Sequence, residues 1–337
     1  MSILAPVSDL GVPMVAEDRG EVREATHTGH LVAVDAEGRL LAALGNPDRL
    51  TYFRSSAKPF QAIAALRSGA RERFGLTDEH VAVMAASHAG EPRHVDLVRD
   101  LLRRAGVPED ALACGAHWPL SEAAAQSARA AMPAPIPVFN NCSGKHAGML
   151  AAAQALGTPW EGYLYPVHPV QVEVRRTVEA FTGCPPEATP YGTDGCSAPN
   201  PAVPLQAMAQ SFARLLASPD PVARLVVGAM TAHPYLVSGT DRFDTRLMEL
   251  SRGRLLAKGG AAGLHCLADR ESGGALAVKL ESGNGAFVPA AVLAALGQLG
   301  WLPEASLDSL RAFASPTLLN YRRLEVGRAY PIFELPT

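Results

Sequence analysis

Ser55 and Lys58 stand three residues apart in the run Arg54-Ser55-Ser56-Ala57-Lys58-Pro59. At the start of a helix that spacing turns both side chains to one face. There a neutral lysine amine can take the serine proton and leave an alkoxide nucleophile. Desolvation or a nearby cation is needed to keep such an amine neutral at pH 7. Taken alone, the motif is read more simply as an N-cap serine with a solvated lysine. Pro59 suits a helix start under either reading.

Three further groups of residues carry chemistry. Ser87-His88 closes the apolar run Val81–Ala86, a common place for reactive side chains. With the aspartates of the chain it leaves a Ser-His-Asp triad open, although no GxSxG elbow surrounds any serine. Asn140-Asn141-Cys142-Ser143-Gly144-Lys145-His146 and Gly192-Thr193-Asp194-Gly195-Cys196 crowd small and polar residues into two turns. Gly144 permits close backbone approach, and free amides at the following helix start could hold an anion. Two cysteines from separate loops suit zinc, which would need two more ligands; buried structural thiols are the plainer reading. Lys258-Gly259-Gly260 reads as a Gly/Ala-rich turn carrying a cation beside backbone donors.

These residues must be positioned by elements that the hydrophobic pattern suggests. Residues 30–44 contain two short apolar runs around an acidic glycine turn, which predicts a hairpin. From Lys58 the period changes, and helices are expected over KPFQAIAALRSGA, HVDLVRDLLRRAG, SEAAAQSARAAM, HAGMLAAAQAL, MAQSFARLLA and PVARLVVGAMTAHP. Pro133, Pro135 and Pro137 mark a loop leading into a short strand before the Asn140–His146 turn. After Leu255, AGLHCLAD and GALAVKLES predict a second hairpin, followed by a helix over 286–299 and a last strand in EVGRAYPIF. The order is β, then many helices, then ββα. It predicts an α+β chain in which both ends build one antiparallel sheet around an inserted helical lobe. The expected division is 1–54 with 255–337 for the sheet lobe and 55–254 for the helical lobe.

The 337 residues are 48% apolar and 19% charged, with 30 basic against 33 acidic residues and a net charge of −3. That composition excludes a mostly disordered chain and argues against a nucleic-acid or polyanion binder. No run reaches the length of a membrane span. The first residues lack the basic start of an export leader and carry Asp9, so a cytoplasmic protein with reduced thiols is expected. The odd count of five cysteines agrees with that expectation.

Together, Arg54–Pro59, Ser87-His88, Asn141–His146, Gly192–Cys196 and Lys258–Ala261 resemble the Rhizobium etli-type L-asparaginases in order and spacing. GNP at 45–47, CGAH at 114–117, HP at 233–234 and KLESG at 279–283 extend the resemblance over nearly the whole chain. It implies a three-layer αβα fold similar to serine β-lactamases and glutaminases. It also implies two Ser-Lys tandems, Ser55 with Lys58 and Ser87 with Lys258, and a zinc ion held by Cys142, Lys145, Cys196 and water. Arg54, His88, Asp194 and Gly259 are expected near a small substrate, L-asparagine, in a homodimer that uses neither nucleic acid nor membrane. Two alternatives remain: another Ser-Lys amidohydrolase, such as a glutaminase or a β-lactam or D-peptide hydrolase, and a non-catalytic amino-acid or zinc-binding protein.

Overall fold

The computed structural model describes residues 10–336. The segment with Asp9, on which the leader expectation rests, lies outside the described residues. Along the chain come β1 (Val12–Arg19), β2 (Val22–Val34), β3 (Leu40–Leu44) and β4 (Leu50–Tyr52). Helices follow: α1 (Lys58–Leu66), α2 (Ala70–Phe74), α3 (Asp78–Met84), α4 (Pro92–Ala105), α5 (Glu122–Ala131), α6 (Ser143–Leu156) and α7 (Pro169–Thr182). Short strands β5 (Tyr191–Thr193) and β6 (Pro199–Pro204) precede α8 (Leu205–Ala217), α9 (Pro221–Ala232), α10 (Pro234–Val237) and α11 (Phe243–Leu250). The chain then forms β7 (Leu255–Gly260), β8 (Leu264–Asp269), β9 (Ala275–Leu280), α12 (Val288–Gln298), α13 (Glu304–Ser309), α14 (Arg311–Ala314), β10 (Thr317–Leu319) and β11 (Glu325–Pro331).

Two units emerge. The first runs to Ser56, takes in Val203–Ala217, and resumes at Leu250; the second comprises Ala57–Ala202 and Ser218–Glu249. The first unit holds an eight-stranded sheet in the order β10-β11-β1-β2-β9-β8-β7, with β3 on β2. Its pairings are antiparallel. Strands from the N-terminal part, β1 and β2, sit between β11 and β9 from the C-terminal part, so both chain ends build the sheet. The fold is α+β, as the element order predicts. Leu31 to Val34 on β2 and Cys266 to Ala268 on β8 are completely buried, so residues pointing to either face are covered. Strands covered on both faces read as continuous apolar runs, which is the character of LVAV and CLA.

One division differs from expectation. Residues 203–217 belong with the sheet rather than with the helices: α8 packs on β2, β8 and β9. Leu205, Met208, Ala209 and Phe212 form its buried stripe. Helical periodicity shows that such a stripe exists, but not which partner it meets.

In the second unit α1 is the central helix. All nine of its residues are buried, and it packs against α3, α6, α7 and α9. Pro59 occupies its first turn, where a backbone N–H has no intrahelical acceptor to lose. Two local expectations are corrected. The short strand expected out of the Pro133, Pro135 and Pro137 loop is a 3-10 turn, Pro137–Phe139, because proline at its first position supplies a helical φ. Lys258-Gly259-Gly260 is not a turn but the end of β7, paired with Cys266, His265 and Leu264 on β8. The glycines weaken the strand signal there, and the ladder restores it.

Candidate active site

In the helical unit, Lys58 leaves the first turn of α1 and is almost fully buried, 1% exposed. Its Nζ donates to Ala86 O at 2.6 Å, to Ser87 Oγ at 3.0 Å and to Asn141 O at 3.1 Å. Three acceptors match the three N–H bonds of an ammonium. After losing one proton, the same nitrogen could keep both carbonyls and accept from the Ser87 hydroxyl. The geometry thus brings Lys58 to Ser87, across the two tandems that the resemblance implies. Ser87 follows the end of α3 and is half-buried.

The α3 end and the α6 start are pressed together. A Cβ on Gly144 would come 2.2 Å from Val83 O, so only glycine allows this approach. The glycine therefore serves helix packing, and the α6 start meets protein backbone at that point. Asn140 orients the turn before α6: its Oδ1 accepts from Cys142 N at 2.8 Å and its Nδ2 donates to Cys114 O at 2.9 Å. His117 supports the same turn through Asn141 N, which donates to its Nε2 at 3.1 Å. Asn140 and His117 have no place among the expected site residues. The CGAH run was visible in sequence, but nothing there shows that it folds beneath the Asn140–Cys142 turn.

Cys142, Lys145 and Cys196 meet in one buried cluster, each 3–5% exposed. Lys145 Nζ lies 2.8 Å from Cys196 Sγ, and Asp194 Oδ2 lies 3.7 Å from that sulfur. A hydrogen bond from the Cys196 thiol holds the Cys142 thiol well below its ordinary range against the opposing effect of burial, with the Lys58 and Lys145 charges assisting. Cys196 moves the other way, because its proton is held by Cys142. Burial disfavours the Lys145 charge, but the Cys142 and Cys196 sulfurs outweigh it and raise the amine. The two thiols are thus pushed in opposite directions beside the raised Lys145 amine. Among the described residues no group of three or more His, Cys, Asp or Glu side chains is arranged to hold a metal. The donors present are two sulfurs and an amine, a soft set that fits zinc once the amine and second thiol lose their protons.

His88 is fully buried, and both ring nitrogens are engaged. Gly90 N donates to Nδ1 at 3.2 Å, so Nε2 carries the proton and donates to Ser143 Oγ at 3.0 Å. The expected substrate neighbour is therefore placed as a strut between the Ser87 loop and the start of α6.

In the sheet unit, Arg54 adopts φ +49, a left-handed conformation that costs a non-glycine residue of order 1 kcal/mol. It opens the 3-10 turn Arg54–Ala57, which runs directly into α1. Ser56 is completely buried and donates to Lys258 O at 2.9 Å, whereas Ser55 is half-buried. Of the two adjacent hydroxyls, Ser55 is the one within reach of a ligand. Lys258 is 1% exposed on β7, and its Nζ donates to Gly259 O at 2.8 Å.

No curated sequence matches the chain. Among solved structures, a candidate β-lactamase from Bacteroides dorei matches with a TM-score of 0.42 and 12% identity, over 75% of this chain and 84% of that one. The family model for L-asparaginase II matches residues 15–331. That span includes the Ser55–Lys58, Ser87, Cys142–Lys145, Cys196 and Lys258 positions. The chain belongs to the L-asparaginase II family and is an amidohydrolase.

Proposed function

We propose that the enzyme hydrolyses the side-chain amide of L-asparagine to L-aspartate and ammonia through an acyl-serine. The observation that carries this reading is the half-buried Ser55 hydroxyl three residues before the buried Lys58 amine, both within the span of the L-asparaginase II family match. Ser55 attacks the amide carbon while Lys58, as a neutral amine, takes the hydroxyl proton. That proton passes to the departing nitrogen, ammonia leaves, and water cleaves the aspartyl ester by the same base. Ser87 and Lys258 form the second tandem, and Ser87 holds the Lys58 amine in place. Arg54 faces the substrate carboxylate, Asp194 faces its ammonium, and Gly259 lies beside the substrate.

Cys142, Lys145 and Cys196 would hold a zinc ion, with water completing the set; bound there, zinc supplies a fixed positive charge. The enzyme works as a cytoplasmic homodimer on this reading, without nucleic acid or membrane. Among the described residues no helix is long and apolar enough to cross a membrane.

A second reading makes Ser87 the attacking group, and the 3.0 Å contact with Lys58 favours it. Ammonia release from asparagine by Ser55→Ala and Ser87→Ala, with mass detection of the acylated peptide, separates the two. Ser55→Ala is expected to fall by at least about 10³-fold. Near-normal release by that variant, with acylation at Ser87, would establish the second reading. Glutamine and nitrocefin run in parallel distinguish the glutaminase and β-lactam alternatives. Chelation followed by zinc addition reads the metal: full activity after verified zinc removal excludes a functional ion.

A further inference from the structure

Far from these residues in sequence, the sheet unit aligns a serine, a histidine and a glutamate. In the antiparallel pair β1–β2, His27 stands opposite Val15 and Glu17 opposite Ala25, which makes Glu17 and His27 diagonal neighbours. β9 pairs Leu280 with Gly29 of β2, and two residues further along the same register Ser282 comes opposite His27. The side chains meet as this register directs. His27 Nε2 lies 2.6 Å from Glu17 Oε1, and His27 Nδ1 lies 2.9 Å from Ser282 Oγ.

The direction of the protons follows from the acceptor. In the neutral imidazole, the carboxylate acceptor at Nε2 places the ring proton there and leaves the Nδ1 lone pair toward the Ser282 hydroxyl. Phe287 packs against the imidazole at 4.7 Å between centroids. The side chains of His27 and Glu17 are only 10% and 18% exposed, while Ser282 is exposed. Asn284 N donates to Ser282 Oγ at 3.4 Å, a long bond that leaves the hydroxyl hydrogen for His27. This is the constellation of an activated nucleophile: a reachable hydroxyl, a base within hydrogen-bond distance, and an acid that orients the base.

We propose that Ser282 is a second reactive serine, activated by His27 and positioned through Glu17, which takes an acyl or phosphonyl group from activated esters and phosphonofluoridates. With a phosphonofluoridate, the Oγ–P bond forms as the P–F bond breaks. The hydroxyl proton goes to His27 Nδ1 and from there to solvent, and fluoride leaves. With an aryl ester, the Oγ–C bond forms, the bond from that carbon to the aryl oxygen breaks, and the phenol leaves with the proton. An exposed hydroxyl at the end of β9 selects by leaving group rather than by enclosure, so amides such as asparagine are not its substrates.

The experiment is labelling of the full-length protein with an alkyl fluorophosphonate, followed by peptide mass mapping. Label is expected on the peptide containing Ser282. Ser282→Ala should lose that label while ammonia release from asparagine stays unchanged. His27→Gln should slow labelling by about 10²-fold, the contribution of a positioned base. Glu17→Gln provides a second arm should the His27 variant fold poorly, and is expected to slow labelling by a smaller factor with the thermal midpoint retained. Absence of label from Ser282, or a rate indifferent to both His27 and Glu17, would overturn the proposal and leave a hydrogen-bonded turn. Neither result bears on Ser55, whose labelling maps to a different peptide.

Discussion

Two serine–histidine pairs, one in each unit, carry their protons in opposite directions. At His88–Ser143 a backbone N–H occupies the ring's Nδ1, so the imidazole donates to the serine and the serine donates onward to Val138 O at 2.9 Å. The serine has no lone hydroxyl hydrogen to give a base, and both residues are completely buried. At His27–Ser282 a carboxylate occupies the far nitrogen instead, so the neutral imidazole has its lone pair on the side of an exposed serine. The same two residue types make a strut in one place and a nucleophile in the other. What differs is the third group on the ring, a donor in the first case and an acceptor in the second.

Unfolding measurements on each pair test whether the third ring partner sets its role. The largest effect is expected from His88→Ala, which leaves Gly90 N and Ser143 Oγ without their ring partners and opens a buried space. A loss of about 3 kcal/mol in unfolding free energy should appear in urea titration. A loss below about 1 kcal/mol would mean that His88 is not a strut.

The paired serine changes come next. Ser143→Ala strands the His88 Nε2–H and should cost about 2 kcal/mol. Ser282→Ala, on an exposed loop, should stay within about 0.5 kcal/mol of the parent. Equal costs in thermal or urea unfolding would erase the distinction between the pairs.

Mild acid should act gradually rather than in one step. Burial pushes the His88 imidazole well below its ordinary 6.5, with the neighbouring His94 and Lys58 charges adding to the effect. Burial likewise lowers His94, which stacks on His88 at 5.1 Å. Below pH 6.5 the unfolded chain therefore binds protons that the fold refuses. Stability is full above that pH and declines as the pH falls toward the folded values, by at most about 1.4 kcal/mol per pH unit per histidine. His88→Asn should flatten this decline between pH 6.5 and 5, as followed by urea midpoints. An unchanged slope would show that the ring is not held neutral.

The legible parts of the molecule were those written by local physics. The acidic glycine turn before β3, the 3.6-residue periodicity of α4 and the ββα order near the C-terminus each show in a short window. Misread parts had ambiguous local signals. Pro137 suits a 3-10 turn as well as a strand entry, and Gly259-Gly260 resembles a turn until β8 supplies its ladder. The candidate site reads in a different manner. Ser55, Lys58, Ser87, Cys142, Lys145, Cys196 and Lys258 stood out as a family pattern, whereas isolated spacing left each of them with an ordinary structural explanation.

Residue types and order determined by themselves that this chain forms an α+β fold from both of its ends and carries the residues of an asparaginase-family amidohydrolase. Tertiary structure decided who touches whom. It brought Lys58 to Ser87, closed both nitrogens of His88, and set Ser282 against His27 across 255 positions of sequence and Glu17 against the same ring across 10. Hydrogen-bond direction depends on all the partners of a group at once, and those partners arrive from different strands and helices. Composition and periodicity report which faces are apolar, and only packing reports which polar atoms those faces bring together.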